Sequence, residues 1–337
     1  MNQFLKNIIS MKEEDIRPQK IFDEYLELAK NDTKNYFGDS EKESINCPAC
    51  GNKGSYVFSK NGFKYDECGE CFTLYVNPRP ISSALDRYYT EAPSVEFWAT
   101  TFYKETAESR RELLWKPKAQ QITSIVNNYV NDDDFFTVID IGGGYGIFVE
   151  EIKKITNCDT VVIEPGPKLA EVCRSKSIKV IEKFLNDVDT NELPSSKKVF
   201  TSFELFEHLH CPEDFLADVY NIMNKGDIFI FTTLSGTGVD ISVLWEHSKS
   251  VSPPHHLNFF NPKSIPILLN KIGFKNIDIQ TPGKLDMDIL KKNIHHIDNR
   301  FWKYFLTMAS DKDLEIMQKT MQDTCSSSHI MVTCQKV

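Results

Sequence analysis

Val138-Ile139-Asp140-Ile141-Gly142-Gly143-Gly144-Tyr145-Gly146-Ile147-Phe148 is the stretch that decides the fold. The residues from Phe135 to Ile141 form an apolar run, the pattern of a strand buried on both faces of a parallel sheet. Glycines then turn the chain into an amphipathic helix, from Gly146 to Ile155. Without Cβ atoms their N–H groups can approach a ligand, and the helix N-terminus favours its negative end. A dinucleotide fingerprint requires Gly-x-Gly-x-x-Gly. Gly142 and Gly144 fit it, but the third place holds Ile147 and the extra glycine is Gly146. The pattern is Asp-x-Gly-x-Gly-x-Gly. An ordinary glycine turn reads the same over so short a span, so the decision lies downstream.

Val161-Val162-Ile163-Glu164-Pro165 is a second apolar strand ending in an acid, 22 residues after Gly142. An acid near that spacing accepts two ribose hydroxyls in nucleoside-binding βαβ units. Further strands follow at Lys179–Ile181, Val199–Phe203 and Ile228–Thr233, with a helix near Pro212 to Asn224. Strands alternating with helices imply a parallel doubly wound sheet. With its acid two residues before the first glycine, the loop resembles motif I of the class I S-adenosylmethionine (SAM) dependent methyltransferases. The resemblance implies an α/β, Rossmann-like seven-stranded sheet over 131–283, completed by a last strand in 326–337. It also implies that Asp140, Gly142 and Gly144 surround the methionine end of SAM and that Glu164, with Pro165, takes the ribose. The usual acid after the third strand is displaced, leaving Phe184, Asn186 and Asp187 as candidates beside adenine.

The chain has 337 residues, enough for one large core and one or two small modules. A net charge of −9 argues against broad attraction to nucleic acid. No apolar run approaches the length of a transmembrane helix. Met1 to Lys20 carries Phe4, Leu5, Ile8 and Ile9 but no signal-peptide pattern, so a cytoplasmic protein is expected. Nine cysteines in so long a chain do not suggest a disulfide scaffold. Within the charged segment 1–45, Ile21, Phe22, Tyr25, Leu26 and Leu28 mark one face of a packing helix.

Cys47-Pro48-Ala49-Cys50 and Cys68-Gly69-Glu70-Cys71 are two C-x₂-C knuckles 17 residues apart. Each offers two thiolates on a tight turn, and two such turns make a tetrahedron. Tyr56–Phe58 and Phe63–Tyr65 read as strands between them, so residues 46–78 are expected to form a zinc ribbon. Four protein ligands leave no open position, which makes the Zn²⁺ structural. Neither knuckle has the βαβ context of a redox pair.

Residues 79–130 read as an aromatic helical cap or linker. Its Arg110 or Arg111 could clamp an anionic substrate such as a phosphate. After the fourth strand come Glu204-Leu205-Phe206-Glu207-His208. On a helix, Glu204, Glu207 and His208 share one face, where they could bind a divalent cation or do acid–base work. Strand carboxyl ends are where open α/β sheets place ligands. Pro253-Pro254-His255-His256-Leu257 opens at the same edge, adding His256 as a candidate base. Glu-x-x-Glu-His followed by a later histidine resembles the metal-binding pattern of ubiquinone-pathway O-methyltransferases and small-RNA 2′-O-methyltransferases. There the metal orients a hydroxyl and lowers its pKa. Residues 284–325 have helical periodicity and read as an insertion.

The order of modules resembles a bacterial methyltransferase group of surface-glycan and nucleotide-sugar pathways, including sugar C-methyltransferases with a similar zinc module. Their large extra C-terminal domain has no counterpart in this chain, so C-methylation of a deoxysugar is not expected. The resemblance implies methyl transfer from SAM to a small polar acceptor, a hydroxyl of a sugar, sugar phosphate or nucleotide-sugar. Two other readings remain: an RNA methyltransferase whose ribbon contacts RNA, and a non-catalytic scaffold. Lys53, Lys60 and Lys64 of the ribbon are offset by Asp66, Glu67 and Glu70, which argues against the first. The intact glycine loop and Glu164 argue against the second.

Overall fold

The computed structural model describes residues 11–38, 41–130 and 135–337. Phe4, Leu5, Ile8 and Ile9 lie outside them, as does the expected start of the SAM-binding sheet at 131. Two sheets carry the molecule. The small one uses β1 (Gly54–Lys60), β2 (Phe63–Cys68) and β3 (Leu74–Val76), which follow one another in an antiparallel meander. The large one uses β4 (Phe136–Ile141), β5 (Cys158–Ile163), β6 (Lys179–Ile181), β7 (Lys197–Phe203) and β8 (Ile228–Leu234). A short strand, β9 (Asn258–Phe259), then crosses over to pair with β3 of the small sheet. The chain ends through β10 (Lys275–Gln280) and β11 (His329–Gln335).

The large sheet has the order β10-β11-β8-β7-β4-β5-β6. The pairs β8–β7, β7–β4, β4–β5 and β5–β6 are parallel, and β11 runs antiparallel to both of its neighbours. The chain moves outward from β4 to β6 and returns at β7. The crevice between β4 and β7 is therefore the switch point where such sheets bind ligands. All six residues of β4 and all seven of β8 are buried. Alternate residues serve opposite faces: Ile139, Phe200 and Phe229 join one core, while Val138, Val199 and Ile228 join the other. The first of these cores also takes in Cys47 and Cys68, so the ribbon packs on the sheet.

Helices cover the strand ends. Gln19–Phe37 buries Phe22, Tyr25, Ala29 and Phe37. Residues 93–126 are helical, interrupted by π turns at Trp98–Phe102 and Arg111–Trp115. The expected helical insertion consists of Asp286–Lys292, Arg300–Met308 and Asp311–Asp323. The short helix Glu13–Ile16 is tied to it, through the Glu13 N–H on Asp288 and Lys292 against Glu14. No helix among the described residues is long and apolar enough to cross a membrane.

Candidate active site

The turn after β4 has Gly142, Gly144 and Gly146 at φ of 70°, 54° and 67°, a region that L side chains rarely adopt. A Cβ on Gly146 would lie 2.6 Å from the end of the Ile178 side chain, which would have to shift, and the left-handed φ strains any other residue there. A Cβ on Gly144 would meet nothing within 4 Å, so this face of the turn is open. The helix Ile147–Ile155 starts directly after Gly146. Glu164, at the end of β5, accepts the N–H groups of Gly144 (3.1 Å) and Gly166 (2.9 Å). Burial raises its pKa. Pro165 lies half-buried beside it. Asp140, 2% exposed, accepts the Thr201 hydroxyl at 2.7 Å, and burial pushes its carboxyl up to about 7. The structure thus brings Asp140, Gly142, Gly144 and Glu164 to one crevice whose open face, acid and helix start fit a nucleoside-bearing ligand. Of the candidates near adenine, Phe184 is an exposed ring and Asn186 and Asp187 lie on the 3₁₀ turn Leu185–Asp187.

Past β7 the structure departs from expectation. Glu204, Glu207 and His208 do not share a helical face, because Glu204 takes a left-handed φ of 54° and only Phe206–His208 forms a 3₁₀ turn. Glu204 swings away to meet β8 and β11. It accepts the Thr232 hydroxyl (2.7 Å) and the His329 Nε2–H (2.6 Å), with the Lys118 Nζ at 3.7 Å. Burial opposes its charge, yet His329 and Lys118 outweigh burial and hold it well below the usual carboxylate range.

Glu207 and His208 instead converge with His256. One ligand atom from each lies within 4.8 Å of the others. Glu207 is 1% exposed and accepts the Thr233 hydroxyl at 2.9 Å. Burial, then the charge of Glu204, pushes its carboxyl up to about 8. Burial takes His208 down to about 4 and His256 down to about 3, so both imidazoles are neutral at physiological pH. His256 Nδ1 donates to the Ser250 carbonyl at 2.5 Å, which leaves the Nε2 lone pair free. Neutral imidazoles beside a carboxyl group can accept a proton, and with that carboxyl ionised the three can hold a divalent cation.

The ribbon sets this loop. The buried Tyr65 hydroxyl donates to the His256 carbonyl at 2.9 Å, and Lys60 Nζ to the Ser248 carbonyl at 2.6 Å. The neighbouring His255 Nε2 is 2.7 Å from the Tyr88 hydroxyl. In the ribbon itself, Sγ–Sγ separations for Cys47–Cys71, Cys50–Cys68 and Cys50–Cys71 are each 3.5 Å. A tetrahedral zinc with Zn–S near 2.3 Å sets thiolates about 3.8 Å apart, so donor set and spacing fit a closed site.

Of the two candidate anion clamps, Arg111 is committed to Glu150 and Glu151. Arg110 is 9% exposed, lies over the Tyr103 ring at 5.4 Å and lines a cavity of about 180 Å³ beside the strand ends. Lys118, His329 and Arg17 share that cavity and were not singled out from the sequence. His329 carried a usable signal, because the start of an antiparallel strand lies at the carboxyl edge of its parallel neighbours. Lys118 and Arg17 carried none.

A family model described as a methyltransferase domain matches residues 98–279, more than half of the chain. Among curated proteins no match is found. Solved structures of similar fold include phosphoethanolamine N-methyltransferase 2 of Haemonchus contortus with bound SAM, at 14% identity and a TM-score of 0.48, over 78% of this chain and 62% of that one. The plantazolicin methyltransferase BpumL, with S-adenosylhomocysteine, is 15% identical with a TM-score of 0.49, over 75% and 93%. A SAM-dependent methyltransferase of Archaeoglobus fulgidus is 14% identical with a TM-score of 0.43, over 69% and 100%. The chain thus spans less than two thirds of the Haemonchus enzyme.

Proposed function

The chain belongs to the methyltransferase-domain family, and from that premise we propose that it moves a methyl group from SAM to a hydroxyl of a small sugar-linked acceptor. A sugar, sugar phosphate or nucleotide-sugar of surface-glycan biosynthesis is the acceptor class. The observation that carries the donor half is the open face of Gly144 against Glu164 at the β4–β7 crevice. Asp140, Gly142 and Gly144 hold the methionine end, and Glu164, with Pro165, the ribose.

SAM, when bound, supplies a methyl on a positively charged sulfur, already a good leaving group. The protein has to align the acceptor oxygen with that bond and remove one proton. His208 takes the proton, since burial keeps its imidazole neutral. Glu207 and His256 fix its position, and Glu204 orders Lys118 and His329 at the acceptor side. The convergence of Glu207, His208 and His256 also favours a second reading, in which they hold a divalent cation that lowers the pKa of the hydroxyl. Cys47, Cys50, Cys68 and Cys71 hold a structural Zn²⁺, and the ribbon sustains the His256 loop from behind.

The test is a screen of nucleotide-sugars, sugar phosphates and free sugars with methyl-labelled SAM, scored for label in the acceptor. Incorporation into one of these classes is expected. Label found only in RNA or protein would overturn the acceptor assignment.

A further inference from the structure

Among the described residues, seven buried side-chain polar atoms have no hydrogen-bond partner. Five belong to residues lining one cavity: Arg17 Nε, Arg110 Nε, Trp115 Nε1, Asp240 Oδ1 and Ser328 Oγ. Folded proteins pair such atoms almost without exception, because each unpaired one forfeits its hydration. Tyr103 lies near Arg110 and Trp115, and Ser328 near Asp240, but none of the five atoms forms a hydrogen bond of normal geometry, so the site favours a molecule that supplies better partners. Separate parts of the chain build the site: the segment around Arg17, the cap helix from Arg110 to Gln121, the strand ends at Glu204, Leu234 and His329, the helix that carries Asp240, the Ser250 loop, and the insertion around Asp286. Trp115 packs against Phe148 and Phe203, and Phe148 lies on the helix that leaves the glycine loop. Glu204 and Lys118 are on the cavity wall, Glu204 just past the end of β7 and Lys118 close enough to Asp140 to favour its charge, so the cavity lies at the carboxyl edge of the large sheet.

Its charges are divided. Lys118 is balanced by Glu204 at 3.7 Å. Arg17 has only Glu13, at 3.9 Å, and Arg110 has no carboxylate partner among the described residues. Two guanidinium groups are left to meet an anion, and planar N–H forks suit phosphate oxygens. At another part of the wall Asp286 is already satisfied by Gln318, Ser327 and the Ser328 N–H. Asp240 and Ser328, 1% and 7% exposed, lie beside each other and Asp286, yet Asp240 Oδ1 and Ser328 Oγ form no hydrogen bond of normal geometry. A carboxyl and a hydroxyl with free capacity are partners for hydroxyl groups.

We propose that this cavity, whose wall meets the His256 loop at Ser250, holds the phosphate end of the acceptor, a phosphate monoester of a polyhydroxylated molecule. Arg17 and Arg110 hold the phosphate, and Asp240 and Ser328 hold hydroxyls. The purpose given to the cavity rests on the methyl-transfer reading above, while the chemistry of its ligand rests on the cavity alone. Calorimetry on the full chain tests it, with inorganic phosphate, glucose 6-phosphate, glucuronate and glucose as probes, each with and without S-adenosylhomocysteine. Phosphate and glucose 6-phosphate are expected to bind, the ester more tightly, and glucose to give no heat. Arg110→Met and, separately, Arg17→Met should each weaken phosphate about tenfold or more, with S-adenosylhomocysteine affinity unchanged. Asp240→Asn should weaken glucose 6-phosphate and leave inorganic phosphate alone. No phosphate binding, undiminished phosphate binding by both arginine variants, or tighter binding of glucuronate would overturn the proposal. Failure to bind S-adenosylhomocysteine would strike the donor reading instead, since the phosphate arms read the cavity directly.

Discussion

The donor and acceptor sides of the cleft are built in opposite ways. The donor side comes from one short piece of chain, Asp140 to Gly166, in which strand, turn, helix and strand follow directly. The acceptor side is assembled from residues as distant as Arg17, Arg110, Glu204, Asp240 and His329. Positive φ at glycines and an acid at a strand end are local requirements, so the local sequence records them. Convergence of side chains from five elements is a product of packing, and no short pattern records it.

If the two sides act separately, variants should divide cleanly between them. The largest effect belongs to the acceptor side. Glu207→Ala should cut turnover by about 10²–10⁴-fold, and S-adenosylhomocysteine affinity should stay within about twofold, as for independent sites. Parallel loss of both in rate assays and calorimetry would merge the sides. A chelator that mimics Glu207→Ala would favour the cation reading, and full activity after stripping would leave His208 as the base. On the donor side, Gly144→Val puts a side chain into open space at a left-handed φ. It should weaken S-adenosylhomocysteine about 100-fold, beyond the ~1–2 kcal/mol of backbone strain, while circular dichroism keeps the native fold.

The third variant asks whether the ribbon belongs to the acceptor side. Cys68→Ser should lower bound zinc measured by elemental analysis. It should also slow turnover about tenfold or more, as supporting contacts around a site typically do, because Tyr65 would lose its hold on His256. Unchanged turnover at reduced zinc would detach the ribbon from catalysis. The smallest effect is on stability. Burial depresses His208 from 6.5 to about 4, so below pH 6.5 the unfolded chain binds a proton that the folded one refuses. That contribution to stability is lost as pH falls from 6.5 to about 4. His208→Gln should therefore match the parent in urea midpoints above pH 7 and gain on it toward pH 4, by at most roughly 1.4 kcal/mol per pH unit. A pH-independent difference would contradict burial of a neutral imidazole.

The sheet was legible because each strand is a short apolar run between turn signals, from Phe136–Ile141 through Ile228–Leu234. The ribbon knuckles were legible because thiolate spacing is local. The fourth strand of the ribbon sheet was not, since Asn258–Phe259 comes more than two hundred residues after the first knuckle and is two residues long. Glu204 misled for a physical reason: its spacing to Glu207 and His208 is helical, but bonds to Thr232 and His329 hold it in a left-handed turn. In its place His256 joins Glu207 and His208, brought there by Tyr65 and Ser250 rather than by sequence proximity.

The central claim is that the crevice beside Gly144 and Glu164 seats the methyl donor. Isothermal calorimetry of the metal-replete chain with S-adenosylhomocysteine tests it directly. The account predicts one molecule bound per chain, with affinity falling about tenfold or more in Glu164→Ala, which removes the ribose acceptor. No heat with either SAM or S-adenosylhomocysteine, or saturable binding of a nicotinamide dinucleotide in their place, would contradict it.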